Sequence, residues 1–214
     1  MTYPSPWPWA PSGYQHRAVA VTIPPDDDDV LTVAELLARA RIVPGDEEDP
    51  ALMQSYIAAA RAQVERDTGC ALTTQTAIIT FDQVCASGVL LLPLPPLQEV
   101  SGITYYDSEG AATVLEPDDV VRQLDVVSRP ARLVWQSAAF DSLGTPSDLS
   151  PLSLLCVVGW TQATLPAPLR FAVGLLAAHY LTTGRDRVVI GTIVADMPAG
   201  YEEAIQPYRL EVVA

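Results

Sequence analysis

Apolar and polar positions change rhythm three times along this chain. In DPALMQSYIAAARAQVERDTG (49–69), Met53, Tyr56, Ile57, Ala60 and Val64 recur at three- and four-residue spacing. That spacing gathers them on one face of a helix. Asp49 is a suitable N-cap, Pro50 fits the first helical position, and Gly69 is a C-terminal stop, so a helix is predicted over 50–68. A shorter helix precedes it over 32–41, TVAELLARAR, with Thr32 and Glu35 spaced as a capping box. From residue 71 the period drops to two. LTTQTAIITF, GVLLL, VSGITYYD, AATVL, ARLVW and SLLCVVGW read as strands rich in β-branched residues, and residues 118–128 as a further extended candidate. Ser108-Glu109-Gly110 turns VSGITYYD into AATVL, which makes a hairpin. The third rhythm is LPAPLRFAVGLLAAHYLTTGR (165–185). It is apolar on most sides, so it predicts a largely buried helix over 166–183 that stops at Gly184. RDRVVIGTIVADM reads as loop or strand, PAGYEEAIQPYR as a short helix or turn, and LEVVA as an extended end.

The order of elements is α+β: two N-terminal helices and a long buried C-terminal helix form a small bundle, and a mostly antiparallel β region (about 71–160) is inserted between them. The core spans 30–200, with an N-terminal arm over 1–29 and a C-terminal arm over 201–214.

Two stretches break these patterns. LLLPLPPLQEV (90–100) sets three prolines among leucines between two strand candidates. Proline removes a backbone donor and fixes φ, so the stretch reads as a strand end followed by a rigid turn. Residues 1–29 contain YPSPWPWAPSGYQ and end in PPDDDD, where the density of proline predicts neither helix nor sheet. Two readings of this segment stand: a disordered terminus, or an arm that orders against a neighbouring subunit through Trp7, Trp9 and Tyr14.

Composition narrows the function classes. Hydrophobic residues make up 49% of the 214, ample for a core. The longest apolar run, Leu165–Leu181, is interrupted by Arg170 and His179, so no membrane span is expected, and no secretion signal is apparent at the N-terminus. The chain is expected to be made and kept in the cytoplasm. Net charge is −14, and every one of the 12 basic residues is arginine. So acidic a chain is a poor match for a broad grip on nucleic acid, which relies on clustered basic residues.

Candidate chemistry is sparse. Cys70, Cys85 and Cys156 have no metal-ligand spacing and read as small core hydrophobes. His16 lies in the arm, and His179 lies beside Tyr180 on the buried helix, where a lone histidine is more often a packed core residue than a catalyst. No nucleophile elbow, phosphate-binding loop or dinucleotide fingerprint occurs. The acid runs Asp26–Asp29, Asp46–Asp49 and Asp118-Asp119 flank helices or turns, where carboxylates favour helix N-termini and water. No catalytic residue, cofactor or metal is assigned.

The phrases LTVAELLARARIV, DPALMQSYIAAARAQVERDTGCALTTQT, LLLPLPPLQEVSGITYYDSEGAATVL, LPAPLRFAVGLLAAHYLTTGR and VVIGTIVADMPAGYEEAIQPYR, in this order, resemble the head–tail connector proteins of long-tailed phages, the adaptor or head-completion family, and their relatives in gene transfer agents. They cover most of residues 31–210. The resemblance implies a helical bundle with a β insertion and no enzymatic activity. It implies a homo-oligomeric ring, usually of twelve copies, that binds the portal protein, extends the DNA channel without binding DNA specifically, and docks stopper or tail proteins. It implies a place in the bacterial cytoplasm during assembly and then at the head–tail junction of a virion or particle. It also implies that the C-terminal segment, with Gln206, Pro207, Tyr208, Arg209 and Leu210, reaches toward the portal; packing of the same residues on their own subunit is the competing reading. The aromatic arm departs from the family pattern. Three further readings remain beside the adaptor: a stopper or tail-completion protein, a packaging accessory that binds nucleic acid, and an enzyme using a cysteine with His179.

Overall fold

The computed structural model describes residues 16–23, 30–42, 49–82, 89–125, 131–135, 145–148, 150–185 and 198–210. Contacts divide the chain into a helical unit, drawn from Pro25–Thr73 and Trp160–Arg209, and a β unit drawn chiefly from Thr74–Gly159.

The helical unit holds α1 (Val33–Arg39), α2 (Pro50–Thr68), α4 (Ala167–Arg185) and α5 (Tyr201–Ile205). Thr32 and Glu35 close the capping box of α1: the Glu35 N–H donates to Thr32 Oγ1 at 3.3 Å and the Thr32 N–H donates to Glu35 Oε2 at 2.9 Å. Helix α2 begins and ends as its sequence predicts. Asp49 Oδ1 accepts from the Ala51 N–H at 2.9 Å, Pro50 opens the first turn, and Gly69 takes the left-handed φ of 72° that a Cβ would penalise. Its inward stripe is Met53, Ile57, Ala60 and Val64, all buried, with Tyr56 half-buried beside them. Arg61 and Glu65 pair along its flank at 3.4 Å. Glu65 also accepts from the Leu72 N–H at 2.9 Å, which ties the chain leaving α2 back onto the helix. Leu72 therefore packs in the helical core, and the strand predicted from residue 71 begins only at Gln75.

Helix α4 buries Leu169, Ala172, Val173, Leu176, Ala177 and Leu181 against this stripe and leaves Phe171 exposed. It runs through Gly184, where the sequence predicts a stop, to Arg185. Arg39 of α1 crosses Gly174: a Cβ there would sit 2.7 Å from the Arg39 Nε, so the flexible arginine side chain would have to shift to admit one. The same guanidinium lies 5.8 Å from the centre of the Phe171 ring. A second tie joins the two helices, Arg170 Nη2 to Glu35 Oε1 at 2.9 Å.

The Glu35 carboxyl is held below its ordinary value, first by the Thr32 backbone N–H, against burial, and with help from the Thr32 hydroxyl and Arg170. The folded chain binds that proton less readily than the unfolded chain. Its contribution is therefore complete above the ordinary value of 4.5 and is lost as pH falls below it. Both side chains are about a third or more exposed, which holds the effect to about 1 kcal/mol or less. Urea titrations should show Glu35→Gln losing less stability than the wild type on acidification. Equal losses in the two proteins would contradict this role.

The β unit is two antiparallel sheets rather than one. The larger has the order β1 (His16–Ile23), β2 (Gln75–Phe81), β8 (Leu152–Val158), β4 (Leu97–Tyr106), β5 (Ala112–Leu115); the smaller runs β3 (Val89–Leu92), β7 (Ala131–Trp135), β6 (Val121–Asp125). The prolines of 93–96 carry the chain from β3 in one sheet to β4 in the other, with Leu94 at a φ of 60° and the Pro95–Pro96 bond cis. The Gly159 N–H donates to the Pro96 carbonyl at 2.8 Å and holds the crossing in place. Strand β1 lies inside the segment expected to form no sheet. HRAVAVTI contains no proline of its own, so it can pair with β2 from His16↔Phe81 to Ile23↔Thr76. Residues 117–120, overlapping the start of the extended candidate 118–128, form instead a helical turn, α3 (Pro117–Val120). Pro117 at its start and Asp118 and Asp119 in its first turn are helix-opening residues.

Alternation along β2 and β8 gives the large sheet two different faces. Ala77, Ile79 and Phe81 on β2, Leu152, Leu154 and Cys156 on β8, and Ile103 and Tyr105 on β4 are buried. The opposite face carries Thr76, Ile78 and Thr80, then Ser153, Leu155 and Val157, then Gly102 and Thr104, all half-buried or exposed. Among the described residues, no helix is long and apolar enough to cross a membrane.

Candidate assembly surfaces

The C-terminal segment is built on the helical unit by two buried side chains. Gly200, at a φ of 89°, turns the chain into α5. Tyr201 and Ile205 on α5 have no exposed surface. The Tyr201 hydroxyl donates to Asp67 Oδ2 on α2 at 2.6 Å, and the other Asp67 oxygen accepts from Gln63 at 2.8 Å. Burial, and then the Asp67 carboxylate, push the Tyr201 phenol far above its ordinary range, so it remains the donor. A single 3₁₀ turn, Gln206–Tyr208, continues α5. The Tyr208 ring stands edge-on to Trp160, centroids 6.5 Å apart, and its carbonyl accepts from the Cys70 thiol at 3.5 Å. Arg209 Nη2 reaches Glu202 Oε2 at 2.7 Å, both side chains about half exposed.

Of the five residues singled out for docking, Tyr208 and Leu210 are thus half-buried, and Gln206, Pro207 and Arg209 are exposed. Trp7, Trp9 and Tyr14 lie outside the described residues, as do 211–214, 186–197, Asp26–Asp29 and Cys85. The Asp67–Tyr201 bond has almost no signature in the sequence. Its residues are 134 apart, and the sole local signal is that Tyr201 opens an amphipathic turn.

The remaining candidate chemistry is quiet. Burial pushes the Cys156 thiol up to about 12, so it stays protonated at neutral pH and is a poor nucleophile. The Cys70 thiol is buried and shared between the carbonyls of Thr68 and Tyr208. His179 sits beside Tyr180, ring centroids 6.3 Å apart, on a helix whose inner face is packed. In the β unit a cleft of about 550 Å³ is lined by Glu99, Glu116 and Asp118 together with Gln98, Ser101 and Gln123. Among the described residues, no cluster of side chains has the makings of a metal site.

The sequence matches no protein-family model, and no curated protein is significantly similar to it. Solved structures are similar. A chain in the neck of an empty gene transfer agent particle, computed with C6 symmetry, superposes with a TM-score of 0.72 at 22% identity. Chains in the virion of a native gene transfer agent particle and in a native neck computed with C12 symmetry give 0.69 and 0.68, also at 22% identity. Each comparison covers 92% of this chain and 98% of the other. Over nearly its whole length, the chain has the fold of a component of gene transfer agent necks.

Proposed function

We propose that this chain is a structural head–tail adaptor of a phage-like particle. Copies form a ring beneath the portal, lengthen the DNA channel and offer a docking surface to the stopper or tail. The carrying observation is the match over 92% of the chain to components of necks computed with C6 and C12 symmetry, rotational symmetries a ring has. The charge agrees with the role. A channel that DNA must traverse works best when its wall repels phosphate, and a chain of net −14 supplies the acids for such a wall. The C-terminal segment supplies a docking element: Tyr201 and Ile205 hold it rigidly, so little entropy is lost when Gln206, Pro207 and Arg209 meet a partner.

The test is to mix the purified protein with its cognate portal ring and image the product by electron microscopy. A rotationally symmetric collar on the portal, lost when residues 209–214 are deleted so that the buried Ile205 and the packed Tyr208 are spared, is the expected result. A collar that survives the deletion would keep the adaptor and remove the C-terminal anchor. Absence of any collar, with the protein recovered on tails, would favour the stopper reading.

A further inference from the structure

The outward face of the five-stranded sheet is unlike a solvated surface. A sheet face that meets water ordinarily carries polar and charged side chains. Here Ile78 lies in register with Leu155, and Thr76 with Val157. Val114 stands opposite Thr104 at the far edge, and Ile23 opposite Thr76 at the near edge. Val114 is 72% exposed, Ile23 61% and Leu155 37%. Gly102 lies in register with Leu155, and a Cβ added there would meet the Leu155 Cβ at 3.7 Å. The missing side chain leaves Leu155 bare. Among the described residues in register on this face, one is charged, Glu99, and it sits at the margin beyond a break in the β4 register.

We infer that this face is where one copy of the chain meets the next. The inference rests on the ring reading and names its subunit surface. Charge selects the occupant. Among the described residues, carboxylates gather only at the Glu99 margin, where Glu116 and Asp118 line the adjoining cleft; around Leu155 and Val114 a basic partner would find nothing to pair with its cations, and unpaired charges are costly to desolvate. A second copy brings the same excess of acid, net −14, and two such chains can approach closely only where carboxylates are absent. The large sheet's outward face answers that requirement.

Its size sets the strength. Five strands at about 4.8 Å spacing and some seven residues at about 3.3 Å give an area of roughly 550 Å². A stable interface takes about 800 Å² from each partner. The face is therefore the centre of a contact that is weak for an isolated pair and gains strength when ring closure or a template holds several copies together.

The test compares full-length wild type with Leu155→Glu, Val114→Glu and, as a control on an exposed apolar position of the helical unit, Leu52→Glu. Sedimentation across a wide concentration range reads self-association, portal collars read assembly, and thermal melting reads folding. Leu155→Glu and Val114→Glu should weaken self-association by at least about tenfold and abolish collars with unchanged melting, while Leu52→Glu behaves as wild type. Normal collars from the sheet variants would overturn the inference and leave the ring standing. Variants that form rings in solution but do not dock on the portal would assign the face to the portal and overturn it as well. A fall of several degrees in melting would mean that another part of the same chain, such as Trp7 and Trp9, covers the face, and this too would overturn the inference. A wild type that never associates, alone or on the portal, would remove the ring reading itself.

Discussion

Tyr201→Ala should unfold the helical unit more readily than any other single change in the C-terminal segment. The side chain has no exposed surface, so truncation removes a whole aromatic ring from the core shared by α2, α4 and α5. Losses of this kind cost about 3–5 kcal/mol, a large fraction of a typical domain's stability. Tyr201→Phe keeps the ring and removes only the bond to Asp67. Asp67 is half-buried and keeps Gln63 as a donor, so the cost should be about 1–2 kcal/mol. Urea unfolding of the three proteins separates packing from the hydrogen bond: the midpoint should fall steeply for alanine and modestly for phenylalanine. A phenylalanine variant as damaged as the alanine one would show that the hydroxyl, and not the ring, holds α5.

Helices are legible in this sequence because their signals are local. Asp49, Pro50 and Gly69 mark both ends of α2 within the helix itself, and Thr32 and Glu35 mark the start of α1. Strand existence is legible from period-two alternation, but sheet membership is not. Nothing near LLLPLPPLQEV says that β3 and β4 belong to different sheets, because that depends on β7 and β8, far along the chain. Strand β1 escapes the sequence reading because prolines on both sides dominate the composition of the segment while HRAVAVTI is proline-free. Glu65 lies off the apolar stripe of α2, and its role as the acceptor for the Leu72 N–H depends on how the chain turns after Gly69. The sheet's outward face is illegible for a related reason. An isolated strand with threonine and isoleucine alternating does not reveal which set is covered until its neighbours are known.

Arg209→Ala should leave the fold nearly untouched and still cost the collar. Among the described residues its guanidinium pairs with Glu202, at 2.7 Å, and both side chains are about half exposed. Such pairs contribute about 0–1 kcal/mol, so thermal melting should scarcely move. Docking is a different matter. Arginine beside tyrosine is a frequent anchor at interfaces, and loss of a central anchor costs about 2 kcal/mol or more, some thirtyfold in affinity. Tyr208→Ala cannot make this distinction, since its ring also packs on Trp160 and its loss would disturb both fold and docking. Tyr201→Ala should remove both stability and collar, and Arg209→Ala the collar alone. The contrast separates a segment that merely completes the helical core from one held by that core in order to be read by a partner. If Arg209→Ala binds the portal as tightly as wild type, the exposed side of the 3₁₀ turn is not the docking element, and the C-terminal segment belongs to the fold of its own subunit.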